Sequence, residues 1–293
     1  MRLAIYGKNP EQHDIPILLD ILAFLKQKNV FVSLESKMAG LAGKITPLPE
    51  TPLFGHAADL AAQRIDCLVS LGGDGTLLDT LRFVKATSIP VLGINMGRLG
   101  FLAQSPKESA VEVLGQLLQG QYRIEKRTLL ELKSNDNIFP SYQYALNDFT
   151  VHKRDTASMI SIETYMNGEF FNTYWADGLI VATPTGSTAY SLSCGGPVIF
   201  PDSSTFAVTP VAPHNLTIRP IIVSDNTVIS FKVEGRGATH LISLDSRYEA
   251  IAYTREIAVQ KAPFFFNLVK LNGQNFINTL REKLKWGLDN RNL

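Results

Sequence analysis

Cysteine is scarce in this chain. Only Cys67 and Cys194 occur, and neither has a Cys-x-x-Cys partner, so a disulfide framework, a zinc knuckle and a redox pair have no basis in the sequence. Such sparse use fits a reducing compartment. No excess of charge exists either: 28 Lys and Arg stand against 27 Asp and Glu, a net charge of +1. A general nucleic-acid binder needs a basic surface, and this balance argues against one. No apolar run approaches the ~18 residues that a membrane helix requires. The opening run from Met1 to Lys8 is too short in apolar residues for a secretory signal and reads as a strand, so the cytoplasm is the expected location. The five histidines, His13, His56, His152, His214 and His240, show no metal-ligand spacing. No repeat or low-complexity tract is visible. Two nucleotide signatures are also missing. There is no Gly-x-x-x-x-Gly-Lys-[Ser/Thr], which excludes a P-loop, and no Gly-x-Gly-x-x-Gly after the first strand.

What is present begins with an α/β pattern. Leu3–Tyr6, Val30–Leu34, Ile65–Leu71 and Pro90–Asn95 are short strand-like runs separated by helical ones. Ile15 to Lys28 is densely apolar with Pro16 near its start, a helix entry. This alternation predicts a parallel sheet with helices on its faces. The Gly- and Pro-rich stretch 36–52 reads as a mobile loop. From about Arg127 strand-like runs follow one another without long helices, and Asn167-Gly168 marks a hairpin turn. The expectation is an α/β domain of residues 1–127 plus 267–293 and a mostly-β domain of residues 128–266. Phe276, Ile277, Leu280 and Leu284 lie along one face of a final helix.

The third strand runs into Gly72-Gly73-Asp74-Gly75-Thr76. Glycines let a backbone approach a ligand closely, and successive N–H groups in such a turn form a concave anion site. Polyphosphate is the natural ligand. Asp74 is the loop's one charged side chain. A carboxylate beside bound phosphates is repelled, so it needs a specific task, and accepting the proton of an attacking hydroxyl is such a task. The competing use is a helix N-cap. The run Thr183 to Ser191 carries the hydroxyls of Thr183, Thr185, Ser187, Thr188 and Ser191, neutral donors suited to a diphosphate and two riboses. Arg98, Lys126 and Arg127 are candidates to neutralise phosphate.

Gly72–Thr76 resembles the nucleotide loop shared by NAD kinases and diacylglycerol-type lipid kinases. The run from Asp177 through Thr183-Pro184-Thr185-Gly186-Ser187-Thr188-Ala189-Tyr190 to Ser193 resembles the long NAD kinase signature. Asn147-Asp148, Gly93–Leu102 and Pro213–Leu216 fit that family in the same order. The resemblance implies an α/β N-terminal domain, a β-rich C-terminal domain and a final segment that returns to the first. It implies transfer of the γ-phosphoryl of ATP to the 2′-hydroxyl of the adenosine ribose of NAD. Asp74 is then the catalytic base, and Gly75 touches NAD. Gly72, Gly73 and Thr76 contact the ATP phosphates. Asn147 and Asp148 hold the adenosine end, and Phe101 packs on adenine. Asp177, Thr188, Ala189, Tyr190, Ser191, Leu192 and Ser193 line the remaining dinucleotide site, with Trp175 and Ala212 beside it. The implied cofactor is Mg2+ or another divalent metal carried with ATP, and the implied assembly a homo-oligomer, dimer or tetramer. The alternatives are a lipid or small-molecule kinase sharing only the loop, and a non-catalytic NAD(P) sensor. Two departures stand out: Asp148 where the family usually has Glu, and Cys194 where a small apolar residue is usual.

Overall fold

The computed structural model of the protein describes residues 1–97, 100–154 and 158–285. The chain divides into two compact units, Met1–Lys126 with Phe266–Leu293, and Arg127–Phe265. The first begins β1 (Arg2–Tyr6), α1 (Ile15–Gln27), β2 (Phe31–Glu35), α2 (Ser36–Ile45), β3 (Leu53–Phe54) and α3 (Ala57–Ala62). It continues β4 (Cys67–Leu71), α4 (Asp74–Asp79), α5 (Leu81–Val84), β5 (Val91–Asn95), β6 (Ser105–Pro106), α6 (Ala110–Leu118) and β7 (Tyr122–Arg127). The second unit runs β8 (Leu130–Lys133), β9 (Tyr144–Ala145), β10 (Asp148–His152), β11 (Ile160–Met166), β12 (Glu169–Ala176), β13 (Gly178–Ala182) and α7 (Tyr190–Ser193). It ends β14 (Thr205–Val211), β15 (Ile221–Ser224), β16 (Ile229–Glu234), β17 (Thr239–Leu244), β18 (Arg247–Ala252) and β19 (Ile257–Lys261). β20 (Phe266–Leu271) and α8 (Phe276–Leu284) then rejoin the first unit.

The first sheet has the order β3-β2-β1-β4-β5-β20-β7, with β6 on β5. β1 pairs in parallel with β2 and β4, and β5 in parallel with β4 and β20. α1 buries Ile15, Leu18, Ile21, Leu22 and Leu25, spaced to one face, with Pro16 in its first turn. These side chains join Leu3, Ile5, Cys67 and Val69 in one core. Burying one Leu or Ile fully is worth about 1.5–3 kcal/mol. Strand order reverses between β1 and β4, the topological switch point where ligands of such sheets bind outside the carboxyl ends. Residues 7–8 and 72–76 are the segments that leave those two ends.

One sequence expectation is overturned here. Residues 36–45, read as part of a loop, form α2. The Glu35 carboxylate accepts the Met38 N–H at 2.8 Å and caps the helix, while Met38 and Ala42, four residues apart, are buried. Cap and burial outweigh the helix penalty of Gly40 and Gly43, about 1 kcal/mol each.

The second unit packs two antiparallel sheets, β15-β14-β13-β10-β17-β18 and β12-β11-β16-β19-β8-β9. Phe149, Val151, Leu179 and Val181 of one meet Ile160, Ile162, Phe231 and Val259 of the other, and Phe149 stacks on Phe231 at 5.5 Å. Asn167 and Gly168 both take positive φ, 52° and 85°, closing the β11–β12 hairpin as their sequence predicts. β13 is buried on both faces. Ile180 and Ala182 pack away from the sandwich core against Ile199, with Cys194 beside them. Residues beyond the strand therefore fold back over its outer face.

Candidate functional site

The glycines after β4 do different work. Gly72 has φ +152°, and a Cβ there would lie 2.3 Å from the Thr76 hydroxyl. The turn itself demands that glycine. At Gly73 and Gly75 a Cβ would meet nothing within 4 Å. The fold does not require those two, which leaves close approach of a ligand as their physical reason. Gly72 and Thr76 line a small hollow with Gly7, Lys8, Asn9 and Met96. Lys8 is a residue the sequence reading missed; its position directly after the first strand was the available signal. Its ammonium pairs with Asp79 at 2.7 Å and is more than half exposed.

Asp74 is the first residue of α4, and Gly73 occupies the N-cap position. Its side chain does not cap that helix. Oδ2 accepts the Phe101 N–H at 2.7 Å, and Oδ1 accepts the N–H groups of Leu102 at 3.1 Å and Ala103 at 2.9 Å. A carboxylate offers about four lone-pair sites, so one acceptor position remains, on Oδ2. Gly100 makes this approach possible, because a Cβ there would sit 1.9 Å from Oδ1. The final helix supports the same loop. Gln104 donates to the Phe101 carbonyl at 3.0 Å and to the Thr279 hydroxyl at 2.7 Å, and the Phe101 and Phe276 rings lie 6.4 Å apart. The segment that returns from the second unit thus braces Phe101.

In the second unit, Asn147 and Asp148 lead into β10. Asp148 pairs with Ala182 across the sheet. Directly opposed side chains share a face, so Asp148 lies on the face that residues beyond β13 cover. It is 5% exposed. Burial, followed by the nearby Asp245 carboxylate, pushes its carboxyl up to about 7. Among the described residues none bonds the half-buried Asn147 side-chain amide.

The hydroxyl-rich run was read as a set of ligand donors, and most of it instead builds the turn. Thr183 donates to the Leu146 carbonyl at 2.6 Å, and its oxygen accepts the Gly186 N–H. Ser187 donates to the Pro184 carbonyl at 2.7 Å and accepts the Ile199 N–H. Ser191, fully buried, pairs with the Thr209 hydroxyl at 2.9 Å. Arg127, also buried, donates to Thr185 at 3.2 Å, which places it as a support for this turn. Gly186 lets the turn touch its neighbour: a Cβ there would fall 2.0 Å from the Asn147 carbonyl oxygen. The surface left open is that of Thr188, Ala189, Tyr190, Leu192 and Ser193. Burial first, then Cys194, raises the Tyr190 hydroxyl above its ordinary value, and both Asp148 and Asp177 add to this. Burial also raises both thiols, Cys67 to about 12 and Cys194 in the same direction, which disfavours thiolate chemistry.

Asp177, with Ala212 next to its backbone partner Val211, approaches that group from its other side, its carboxylate acting on the Tyr190 hydroxyl as Asp148 does, and Trp175 precedes it on β12. All three sit at the Gly178 end of β13, whereas Asp148 and Thr183 sit at its Ala182 end, about 13 Å away along the strand. Asp177 pairs with Lys153 at 2.6 Å, Trp175 is 59% exposed, and Ala212 is held at φ +44°. Trp175 and Lys153 face an open hollow of about 640 Å³ shared with Glu234 and Arg236. Arg98 lies outside the described residues. No helix among the described residues is long and apolar enough to cross a membrane.

With this geometry in place, comparison with known proteins identifies the class. Residues 4–122 match the family model of the ATP-NAD kinase N-terminal domain, and residues 146–271 that of the ATP-NAD kinase C-terminal domain. The chain belongs to the ATP-NAD kinase family, phosphotransferases with an alcohol group as acceptor. It is 45% identical to the NAD kinase of Cytophaga hutchinsonii over 294 residues, and 44% identical to that of Flavobacterium psychrophilum over 295, covering 100% of each chain in both cases. Among solved structures, yeast NADH kinase complexed with NADH superposes with a TM-score of 0.86 at 26% identity, covering 99% of this chain and 89% of that one. An NAD kinase from Archaeoglobus fulgidus in complex with ATP gives a TM-score of 0.75 at 27% identity, covering 97% and 99%. A lipid kinase sharing only the loop would not match along both domains.

Proposed function

We propose that this member of the family transfers the γ-phosphoryl group of ATP to the 2′-hydroxyl of the adenosine ribose of NAD, giving NADP, with Asp74 as the proton acceptor. The observation that carries this is the Asp74 carboxylate, aimed by three backbone N–H groups and keeping one acceptor position on Oδ2. A hydroxyl donating to that position is oriented for attack. As the bond from O2′ to the γ-phosphorus forms, the bond from that phosphorus to the β,γ-bridging oxygen breaks and ADP leaves. The O2′ proton passes to Oδ2. A ribose hydroxyl is far less acidic than a carboxylic acid, so the transfer is late, concerted with bond formation. Catalysis then rests mainly on positioning and charge neutralisation, as is general for phosphoryl transfer.

Gly72, Gly73 and Thr76 are assigned to the ATP phosphates, with Lys8 as the nearby cation, and Gly75 and Phe101 to the adenosine of NAD. Asn147 and Asp148 are assigned to the ribose. Thr188 to Ser193 present the dinucleotide surface, Ser191 through its backbone because its hydroxyl is engaged. Trp175, Asp177 and Ala212 belong to the same function at the far end of β13. Mg2+ binds mainly through substrate phosphates and water rather than an all-protein cage. Among the described residues no three His, Cys, Asp or Glu side chains form such a cage, and the divalent cation is accordingly written as part of the ATP substrate. When bound it neutralises phosphate charge. Edge strand β12 exposes Phe170, Phe171 and Trp175, which supports a homo-oligomer, dimer or tetramer. Sparse cysteine supports the cytoplasm. The direct test is incubation with NAD, ATP and Mg2+. NADP should form, and its absence across phosphoryl donors would sink the assignment.

A further inference from the structure

The geometry points to Asp245 as a positioning residue for dinucleotide binding, acting through the backbone of Asn147 and Asp148. Asp245 and Ser246 form the two-residue turn between β17 and β18. The Asp245 Oδ2 accepts the Leu146 N–H at 3.0 Å, and Oδ1 accepts the N–H groups of Asn147 at 2.7 Å and Asp148 at 3.3 Å. Its own N–H returns a bond to the Asp148 carbonyl at 2.9 Å. Two residues on, the Arg247 guanidinium donates to the carbonyls of Tyr142 at 2.7 Å and Tyr144 at 2.5 Å, and stacks over the Tyr142 ring at 3.6 Å. One turn therefore grips residues 142–148 from both sides, acceptors against its N–H groups and donors against its carbonyls. The grip is centred on the two residues assigned to the ribose.

A purely structural turn would not need a carboxylate. Asp245 holds φ +54°, a conformation that Gly adopts with less strain and Asn as readily as Asp, and a β17–β18 hairpin closes with either. The carboxylate is explained by what it accepts. Loss of those bonds frees the Asn147–Asp148 backbone to shift, and a displacement on the order of 1 Å in a binding group costs about 100-fold in function.

The inference rests on Asn147 and Asp148 contacting NAD, and the experiment separates the two claims. Asp245→Gly keeps the permissive backbone and removes all three bonds. Asp245→Asn suits the turn and retains the Oδ1 acceptor while placing an amino group against the Leu146 N–H. KM for NAD, KM for ATP and Tm are measured on both, with Asn147→Ala as reference. Asp245→Gly should raise KM for NAD about 10- to 100-fold with KM for ATP nearly unchanged, and Asp245→Asn should raise it about 3- to 10-fold. An Asp245→Gly protein that folds and binds NAD normally, or one in which both KM values rise alike, overturns the inference. If Asp245→Gly does not fold, Asp245→Asn decides by the same split. An unchanged KM for NAD in Asn147→Ala overturns the reading beneath it instead.

Discussion

Each unit contains one carboxylate that gathers the backbone N–H groups of three consecutive residues, Asp74 over 101–103 and Asp245 over 146–148. The two are built differently. Asp74 opens a helix beside a glycine-rich loop, and the residues it gathers, Phe101, Leu102 and Ala103, are neutral. Asp245 sits in a hairpin turn, and the segment it gathers carries a carboxyl of its own, Asp148. Burial raises both Asp148 and Asp245, the second against its three N–H bonds. The same device serves two ends: one carboxylate is aimed for a substrate, while the other aims its neighbours and adds to the rise that burial imposes on Asp148.

The comparison is broken most severely at Asp74. Asp74→Asn should lower kcat by about 10²- to 10⁴-fold while NAD still binds, measured by steady-state kinetics and direct titration. Unchanged turnover would remove the residue from the mechanism. Gly100→Ala perturbs the same carboxylate without altering it. The added methyl displaces Oδ1, and kcat should fall about 100-fold. A normal rate would mean that the loop yields freely and that the three-bond cradle does not set the geometry.

The second nest is sharpened by titration. Asp148 in the folded protein titrates near 7, above the ~4 of an unfolded chain. The folded state therefore holds a proton that unfolding releases, and this stabilisation, complete below pH ~4, is lost as pH rises through 7. Asp148→Asn removes that loss, so its Tm should gain roughly 2–4 °C on the parent at pH 8.5 relative to pH 6. A constant Tm difference across that range would show that the carboxyl is not buried as described.

His240 gives the smallest and opposite effect. It is buried, stacks on Tyr253 at 5.1 Å, and burial lowers it to about 4. The unfolded chain takes up its proton near pH ~6.5, so stability is complete above that pH and is lost as pH falls toward 4. His240→Phe keeps the stack and should flatten the acid limb of the Tm profile by roughly 1–2 °C between pH ~7 and pH ~6. An unaltered limb would assign acid sensitivity to other groups.

Legibility in the sequence followed distance along the chain. The strand-then-glycine order placed residues 72–76 at a carboxyl edge, and Asn167-Gly168 fixed a hairpin, because those signals are local. Asn147 and Asp148 were readable only through resemblance, since nothing in that pair alone marks a ligand. The stretch 36–45 was misread because its cap, Glu35, and its buried Met38 and Ala42 are not separated from loop composition by Gly content alone. Asp245 was invisible for a plainer reason: its contacts lie 97–99 residues away.

The sequence by itself determined the family, the two-domain order of α/β then β, and the loop that carries Asp74, because short motifs and periodicity act over a few residues. Only the tertiary structure decided what each polar group does. It turned the hydroxyls of Thr183, Ser187 and Ser191 inward to build a turn, and it set Tyr190 where carboxylates at both ends of β13, Asp148 and Asp177, act on its hydroxyl. It also set a second carboxylate beneath Asn147. Those outcomes depend on which backbone groups are left without partners once sheets pack, a quantity that no local stretch of sequence contains.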